Sequence, residues 1–464
     1  MPEASSPLPV RQCLPFTEFL PVLFQAFADG GVKYCILRNY EGLPATNVGN
    51  DVDLLIHRRD LPRSICILRS LDNIRLVNYT DMNVFVSVYL EGASVTPGSR
   101  SLQVDLFFSI ASKGPEYLSA DAILHAARQH QSDGLQFLVP SPAHEAIVSL
   151  CAHLVYGGFL KEKYFSKVQR TFVSDRFEVL AALQPAFGIK AGTRLLDAVT
   201  EGDRRKILDC IRPLRLALNL RCLLRKPLRG TMATARYYAS IFKLRYSPRN
   251  LETVCFVGPD CYDKMAIIDR LTPMLHSAAK VVNKCQFRSQ LPFAQKTTEF
   301  NSSTGPQAGT SWSSLSSVIK VAQWLLEGWK IQLFGRRELT LRIFERFYHD
   351  LLIEPKSYGY SGPMWFARFV GRLFPSPDLW ILLDPAGGGS QSRNGEVIST
   401  ETLRQLEAYR SFVKTRKRYV ILDASTPIAN VTEEAYAAVI EMLAQRTDSR
   451  LRSRFPSLQR KAAN

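Results

Sequence analysis

Apolar residues recur at helical spacing over residues 15–29 and stop at Gly30-Gly31, which predicts a helix followed by a strand over Val32 to Leu37. A Gly/Asn/Pro loop (Gly42, Pro44, Asn47, Gly49, Asn50) then leads into a second strand, Asp51 to Ile56. A helix over 60–71 and strands near 74–79, 83–90 and 101–108 complete a small mixed α/β pattern. From about Ser119 to Leu220 the rhythm turns helical, with Ile147, Leu150, Cys151 and Leu154 on one face. After Tyr246-Ser-Pro-Arg-Asn250 a short apolar strand opens a third stretch. There the pattern predicts helices at 265–275, 318–328, 340–352, 400–416 and 432–446, with strands at 330–334, 379–383 and 418–422. A polar run over 295–317, nearly without charge after Glu299, reads as a loop. Strands alternating with helices imply a parallel sheet covered on both faces.

The 464 residues exceed one ordinary domain, and 46% apolar with 22% charged residues is a globular composition. Met1 to Gln12 has no apolar signal core and no long uncharged apolar run follows, so the expectation is a cytoplasmic chain. Nine scattered cysteines without Cys-x-x-Cys spacing, and seven histidines without a His-x-x-x-His pair, argue against zinc and disulfide frameworks. The net charge of +17 is concentrated: between Arg204 and Arg249 there are 13 Lys/Arg against Asp209 alone. Leucines and aromatics interleave with them, which reads either as a basic amphipathic segment for an anionic membrane surface or polyanion, or as a solvated linker with a buried leucine face. No nucleic-acid reading module accompanies it.

Asp51 and Asp53 leave the same face of their strand, and Asp105 sits mid-way along the apolar strand Leu102 to Phe108. Three carboxylates on neighbouring strands can hold two divalent ions about 3.5–4 Å apart, Mg²⁺ or Mn²⁺, for transfer of a nucleotidyl group. The order helix, strand, Asp-Val-Asp strand, helix, Asp-bearing strand resembles the polymerase-beta-like nucleotidyltransferase superfamily, over roughly residues 15–170. The phrase Leu37-Arg-Asn-Tyr-Glu-Gly-Leu-Pro44 resembles that of one of its branches. The resemblance implies Asp51, Asp53 and Asp105 as catalytic and metal residues and a nucleoside triphosphate as donor. Where the superfamily usually has Gly-Gly or Gly-Ser at the end of the first strand, Arg38-Asn39 stands here, with Arg38 suited to phosphate oxygens. His57, Arg58 and Arg59 read as a solvated turn more than as substrate contacts.

Val254 to Met265 reads as a strand, a turn opening on Gly258, and Lys264 where a phosphate-binding loop has its lysine. Asp263 replaces that loop's second glycine and Met265 its hydroxyl, changes that repel phosphate and remove an Mg²⁺ ligand. Three further segments, Ile343 to Asp350, Pro377 to Asp384 and Ser392 to Glu396, resemble thymidylate-kinase-like proteins over roughly residues 250–450. That resemblance implies Lys264 at the phosphates, Asp260 and Arg346 facing the acceptor nucleotide, and Arg393 closing on the transferring group. Glu345 and Asn394 depart from the family's pattern, and Pro385-Ala-Gly-Gly-Gly-Ser390 loosens its lid entrance.

The expected organisation is a nucleotidyltransferase-like domain (1–115), a helical extension (116–203), a basic helical linker (204–249), a degenerate kinase-like P-loop domain (250–450) and a basic tail (451–464). Such a fusion resembles a bacterial family of surface-polysaccharide gene clusters. The leading expectation is a metal-dependent nucleotidyltransferase whose acceptor is a sugar phosphate, a lipid-linked glycan or a protein. A nucleoside-monophosphate kinase with an altered loop and a non-catalytic scaffold at a membrane surface are the alternatives.

Overall fold

The computed structural model describes residues 16–44, 51–71, 74–92, 101–225, 227–246, 251–259, 264–276, 278–285, 314–334, 339–355, 358–385 and 400–455. They form two compact units, residues 1–243 with 446–464, and residues 244–445.

The first unit is built on a mixed five-stranded sheet. Its strands are β1 (Tyr34–Ile36), β2 (Asp51–Ile56), β3 (Ile74–Asp81), β4 (Phe85–Gly92) and β5 (Ser101–Phe107), in the spatial order β1-β2-β5-β4-β3. Only β2 and β5 run parallel; the other neighbours are antiparallel. Two hairpins follow, β6 (Ile110–Ala111) with β7 (Glu116–Leu118), and β8 (Arg128–Ser132) with β9 (Leu135–Val139). The second hairpin falls in a stretch expected to be helical. Its strand Arg-Gln-His-Gln-Ser is polar and mostly exposed, so no alternation betrays it.

Period-two alternation sorts the sheet's residues between two cores. Val52, Leu54 and Ile56 of β2, with Val104 and Leu106 of β5, point to helices Phe16–Asp29 and Leu61–Ser70. Cys35, Leu37 and Leu55 point the other way, into a core shared with helices Pro142–Cys151, Arg176–Glu201 and Ile211–Arg225. Asp51 and Asp53 share the parity of Leu55, and Asp105 that of Phe107, so all three lie on the side of the helical extension. Residues 446–455 belong to this unit. Leu451 is buried in its core, Thr447 Oγ1 donates to Val77 O at 2.8 Å and Arg450 Nη2 donates to Asn78 Oδ1 at 2.7 Å.

The second unit carries an all-parallel sheet of β10 (Leu251–Val257), β11 (Val281–Cys285), β12 (Thr340–Phe344), β13 (Leu379–Asp384) and β14 (Tyr419–Asp423), ordered β11-β12-β10-β13-β14. Every residue of β10, β12 and β13 is buried, as a sheet covered on both faces requires. Two expectations are corrected here. Residues 330–334 end the helix Ser314–Phe334 and form no strand, while 340–344 are strand β12 and the only helix in 340–352 starts at Asp350. Thr340-Leu-Arg-Ile-Phe is a fully buried run, and such short runs fit either period until the sheet decides. Most of the polar run 295–317 lies outside the described residues.

Candidate active site

Asp53 and Asp105 are direct register partners across the parallel pair β2–β5, and Asp51 is two residues upstream on the same face. One carboxylate oxygen from each lies within 4.8 Å of the others. Asp53 and Asp105 are buried, Asp51 half-buried. The chain leaves much of their charge uncompensated. Burial and then the neighbouring Asp53 raise the Asp51 pKa. Burial pushes Asp105 up to about 6, against hydrogen bonds from Gln103 and Ser87 and with the charges of Asp53 and Asp51 adding to the rise. Gln103 Nε2 donates to Asp105 Oδ1 at 3.0 Å, and Ser87 lies opposite Asp105 on β4.

Asp53 Oδ2 accepts from Arg38 Nε at 2.5 Å, but Asp53 Oδ1 is buried with no hydrogen-bond partner. Three carboxylates with an orphaned buried oxygen among them make a group of hard donors whose chemistry suits Mg²⁺ or Mn²⁺. Arg38 follows β1, whose continuation is held by Leu37 N donating to Asp53 O at 2.9 Å. Burial lowers the Arg38 pKa, but the charge of Asp53 more than offsets it and the guanidinium stays protonated. Asn39 next to it has φ 57°, in the left-handed region that glycine takes most easily and asparagine tolerates best among the rest. The backbone turn expected of a glycine at the end of this strand is thus kept with an asparagine. Its Oδ1 accepts from Tyr164 Oη at 3.2 Å.

Arg38 separates two clefts. One, about 150 Å³, is lined by Asp53 and by Phe85, Phe107, Tyr117, Tyr156 and Tyr237. Phe85 and Phe107 stack at 4.7 Å, and Tyr237 Oη donates to Tyr156 Oη at 3.0 Å. The other, about 240 Å³, is polar and lined by Asn39, Arg128, Glu145, Tyr164, Lys167 and Arg170 among others. Lys167 Nζ donates to Glu41 Oε1 at 2.5 Å and also to Glu145, whose Oε2 accepts from Tyr40 Oη at 2.7 Å. Neither cleft was legible in sequence, because its side chains come from strands, a hairpin and helices far apart in the chain, from Leu37 to Tyr237 in the first and from Arg38 to Thr171 in the second. His153, on the π-helical turn Ala152–Gly157, stacks on Tyr164 at 6.0 Å, and its Nε2 is buried without a partner. His57, expected in a solvated turn, pairs its Nδ1 with Asp121 at 2.8 Å.

The remaining expected site residues lie in the second unit. Gly258 has φ 137°, and a Cβ there would meet Leu383 O at 3.0 Å, so the turn after β10 is open to glycine alone. It sits where the strand order reverses, between β12 and β13, the place where open parallel sheets bind ligands. Lys264 is buried, and its Nζ donates to Gly258 O at 2.7 Å. Met265 is half-buried in the first turn of helix Lys264–Leu275, and Glu345 and Arg346 follow β12. Asp260, Asp263, Arg393 and Asn394 lie outside the described residues. Asp384, ending β13, is held bidentately by Arg410, with Nε–Oδ2 at 2.6 Å and Nη2–Oδ1 at 2.7 Å. Asp350 is pushed up to about 6 by burial, with the charge of Lys264 opposing; its Oδ2 accepts from Phe347 N at 2.8 Å.

No family model matches the chain, and no curated protein matches it. Among the described residues no helix is long and apolar enough to cross a membrane.

Proposed function

We propose that the protein is a metal-dependent nucleotidyltransferase whose centre is Asp51, Asp53 and Asp105. The observation that carries this reading is the orphaned, buried Oδ1 of Asp53 within a group of three carboxylates from strands in register. Bound divalent cations would supply charge stabilisation for the attacking and leaving oxygens. Asp51 and Asp53 would hold both ions and Asp105 one of them.

The chain's own groups account for the rest. An acceptor oxygen attacks the α-phosphorus of a nucleoside triphosphate, the bond to the β-phosphate oxygen breaks, and pyrophosphate leaves with that electron pair. Asp105, which would hold a single ion, is the carboxylate that takes or orients the acceptor's proton. Arg38 spends one N–H on Asp53 and borders both clefts, so its other donors suit phosphate oxygens. The aromatic cleft suits a flat ring and the polar cleft an anionic group. Because nucleoside triphosphates are a cytoplasmic pool, the reading puts the protein there, and its acceptor is a sugar phosphate, a lipid-linked glycan or a protein.

In the second unit the parallel sheet and the glycine turn at its switch point support descent from a phosphate-binding domain. Asp263 and Met265, Lys264 turned onto Gly258 O and Asp384 engaged by Arg410 support its being catalytically inactive. The test is release of pyrophosphate from each nucleoside triphosphate with Mg²⁺ or Mn²⁺, by wild type and by Asp53→Asn. Release by both at equal rate, or by neither with any acceptor class, would defeat the proposal.

A further inference from the structure

The segment that carries most of the net charge is a helical hairpin. Helices Ile211–Arg225 and Pro227–Tyr246 turn back on one another. Gly230 lies so close to Cys222 that a Cβ on it would come within 2.7 Å of the Cys222 Sγ. Further from the turn, Arg215 Nη2 donates to Tyr156 O at 3.2 Å while Tyr237 reaches the hydroxyl of that same tyrosine. Cys222 and Gly230 thus meet near the reversal, and Arg215 and Tyr237 both reach Tyr156.

The inner face packs on the first unit through Leu214, Leu218 and Tyr237, all buried. The outer face keeps apolar side chains in water: Leu216, Leu220 and Leu224 on the first helix, Leu228, Met232 and Phe242 on the second, with Leu228 78% and Leu224 73% exposed. Their spacing of mostly four residues makes a stripe, where isolated exposed leucines would need no account. Arg229, Arg236 and Lys243, at seven-residue intervals, flank the stripe on the second helix, and Arg212 is exposed on the first.

We propose that this outer face docks on an anionic lipid bilayer, with the leucine stripe entering the interface and the flanking arginines meeting lipid phosphates. Both halves of the pattern are then used: the apolar side chains leave water and the long basic ones reach headgroups. A second copy is the poorer occupant, because a two-fold contact would set the nine basic residues of 211–246, a stretch with no acidic residue, against themselves. A nucleic acid would take the arginines and leave the stripe wet. The hairpin that meets the lipid also lends Tyr237 to the cleft holding Asp53, so docking sets that cleft at the bilayer.

The test is co-sedimentation of the full chain with vesicles of phosphatidylcholine alone or with phosphatidylglycerol added. The expected result is a bound fraction at least about tenfold greater with the anionic lipid, weakened by salt. Leu224→Ser with Leu228→Ser, and separately Arg229→Glu with Arg236→Glu, should each abolish it while circular dichroism stays unchanged. Equal binding to both vesicle types, or wild-type binding by either variant, would overturn the proposal. So would self-association or oligonucleotide binding, lost in the leucine or arginine variant respectively, by a protein that ignores the vesicles.

Discussion

The two units each bury an acid whose pKa is raised to about 6, Asp105 in the first and Asp350 in the second, yet they balance that charge differently. Around Asp105 the nearest charges are two more carboxylates, and one oxygen of Asp53 has no partner at all. In the second unit the charge of Lys264 eases Asp350, and Asp384 has Arg410 across both of its oxygens. Asp350 Oδ1 is likewise buried without a hydrogen-bond partner, so what sets the first group apart is its three carboxylates together, where the second unit sets Lys264 beside Asp350. The position of acidic residues in the sequence does not distinguish them. The first arrangement costs stability for as long as no cation balances it; in the second a cation of the chain itself offsets part of that cost.

The sharpest way to break this comparison is substitution on both sides of it. Asp53→Asn is expected to lower nucleotidyl transfer on the order of 10³-fold, since on the proposed reading it removes one of the two ligands shared by both ions, whereas Lys264→Ala should leave the rate within about twofold. Pyrophosphate release with each variant measures both. Comparable losses from the two would mean that the second unit takes part in the chemistry.

Stability without metal sharpens it further. Burial raises Asp105 above its unfolded value, so the folded state favours the protonated form. Stability from this group is greatest below about pH 4, falls as pH rises to about 6 and stays low above that. Asp105→Asn should therefore stabilise the metal-free protein at pH 7 by about 2 kcal/mol while removing activity. Added Mg²⁺ or Mn²⁺ should raise the melting temperature of wild type and not that of Asp53→Asn. Urea titrations with chelator, and thermal melts with each ion, give the two readings. A destabilised metal-free Asp105→Asn would show that the three carboxylates are already balanced within the chain.

How much of this was legible in the sequence follows the same division. Asp51, Asp53 and Asp105 were readable because a strand's period fixes the face of Asp51 and Asp53, and apolar neighbours identify the strand of Asp105. Their side-by-side register depends on β5 pairing in parallel with β2, which nothing local encodes. Arg38 was placed at the right turn, but its bond to Asp53 is a tertiary contact over 15 residues. The apolar run of β10 read correctly as strand, while the equally apolar β12 read as helix because Leu341, Phe344 and Tyr348 also fit a 3.6 period. The two clefts and the helical hairpin depend on long-range packing, so composition announced the hairpin's charge but not its reversal.

On the other side of the comparison, Arg410→Ala should destabilise by about 2 kcal/mol, because it strands the buried Asp384 carboxylate. That figure sits below the range for fully buried pairs because Arg410 is one-third exposed and partly screened. Asp384→Asn combined with Arg410→Ala should recover most of the loss, which a double-mutant cycle in urea would read. Additive losses would mean that Arg410 acts through packing and that Asp384 needs no cation.

The smallest expected effect comes from repairing the broken loop. Asp263→Gly with Met265→Ser restores the backbone curl and the metal hydroxyl of a working phosphate-binding loop, and removes a charge that repels phosphate. Lys264 still has its bond to Gly258 O to give up, and Arg410 still holds Asp384. The repaired loop would therefore begin with its cations committed elsewhere, and its ATP affinity should rise by no more than about tenfold, or about 1.4 kcal/mol. Isothermal titration of wild type and the double variant measures it. A gain of several hundredfold would mean that those internal pairs yield readily to phosphate, and that the second unit keeps a nucleotide site which only Asp263 and Met265 close.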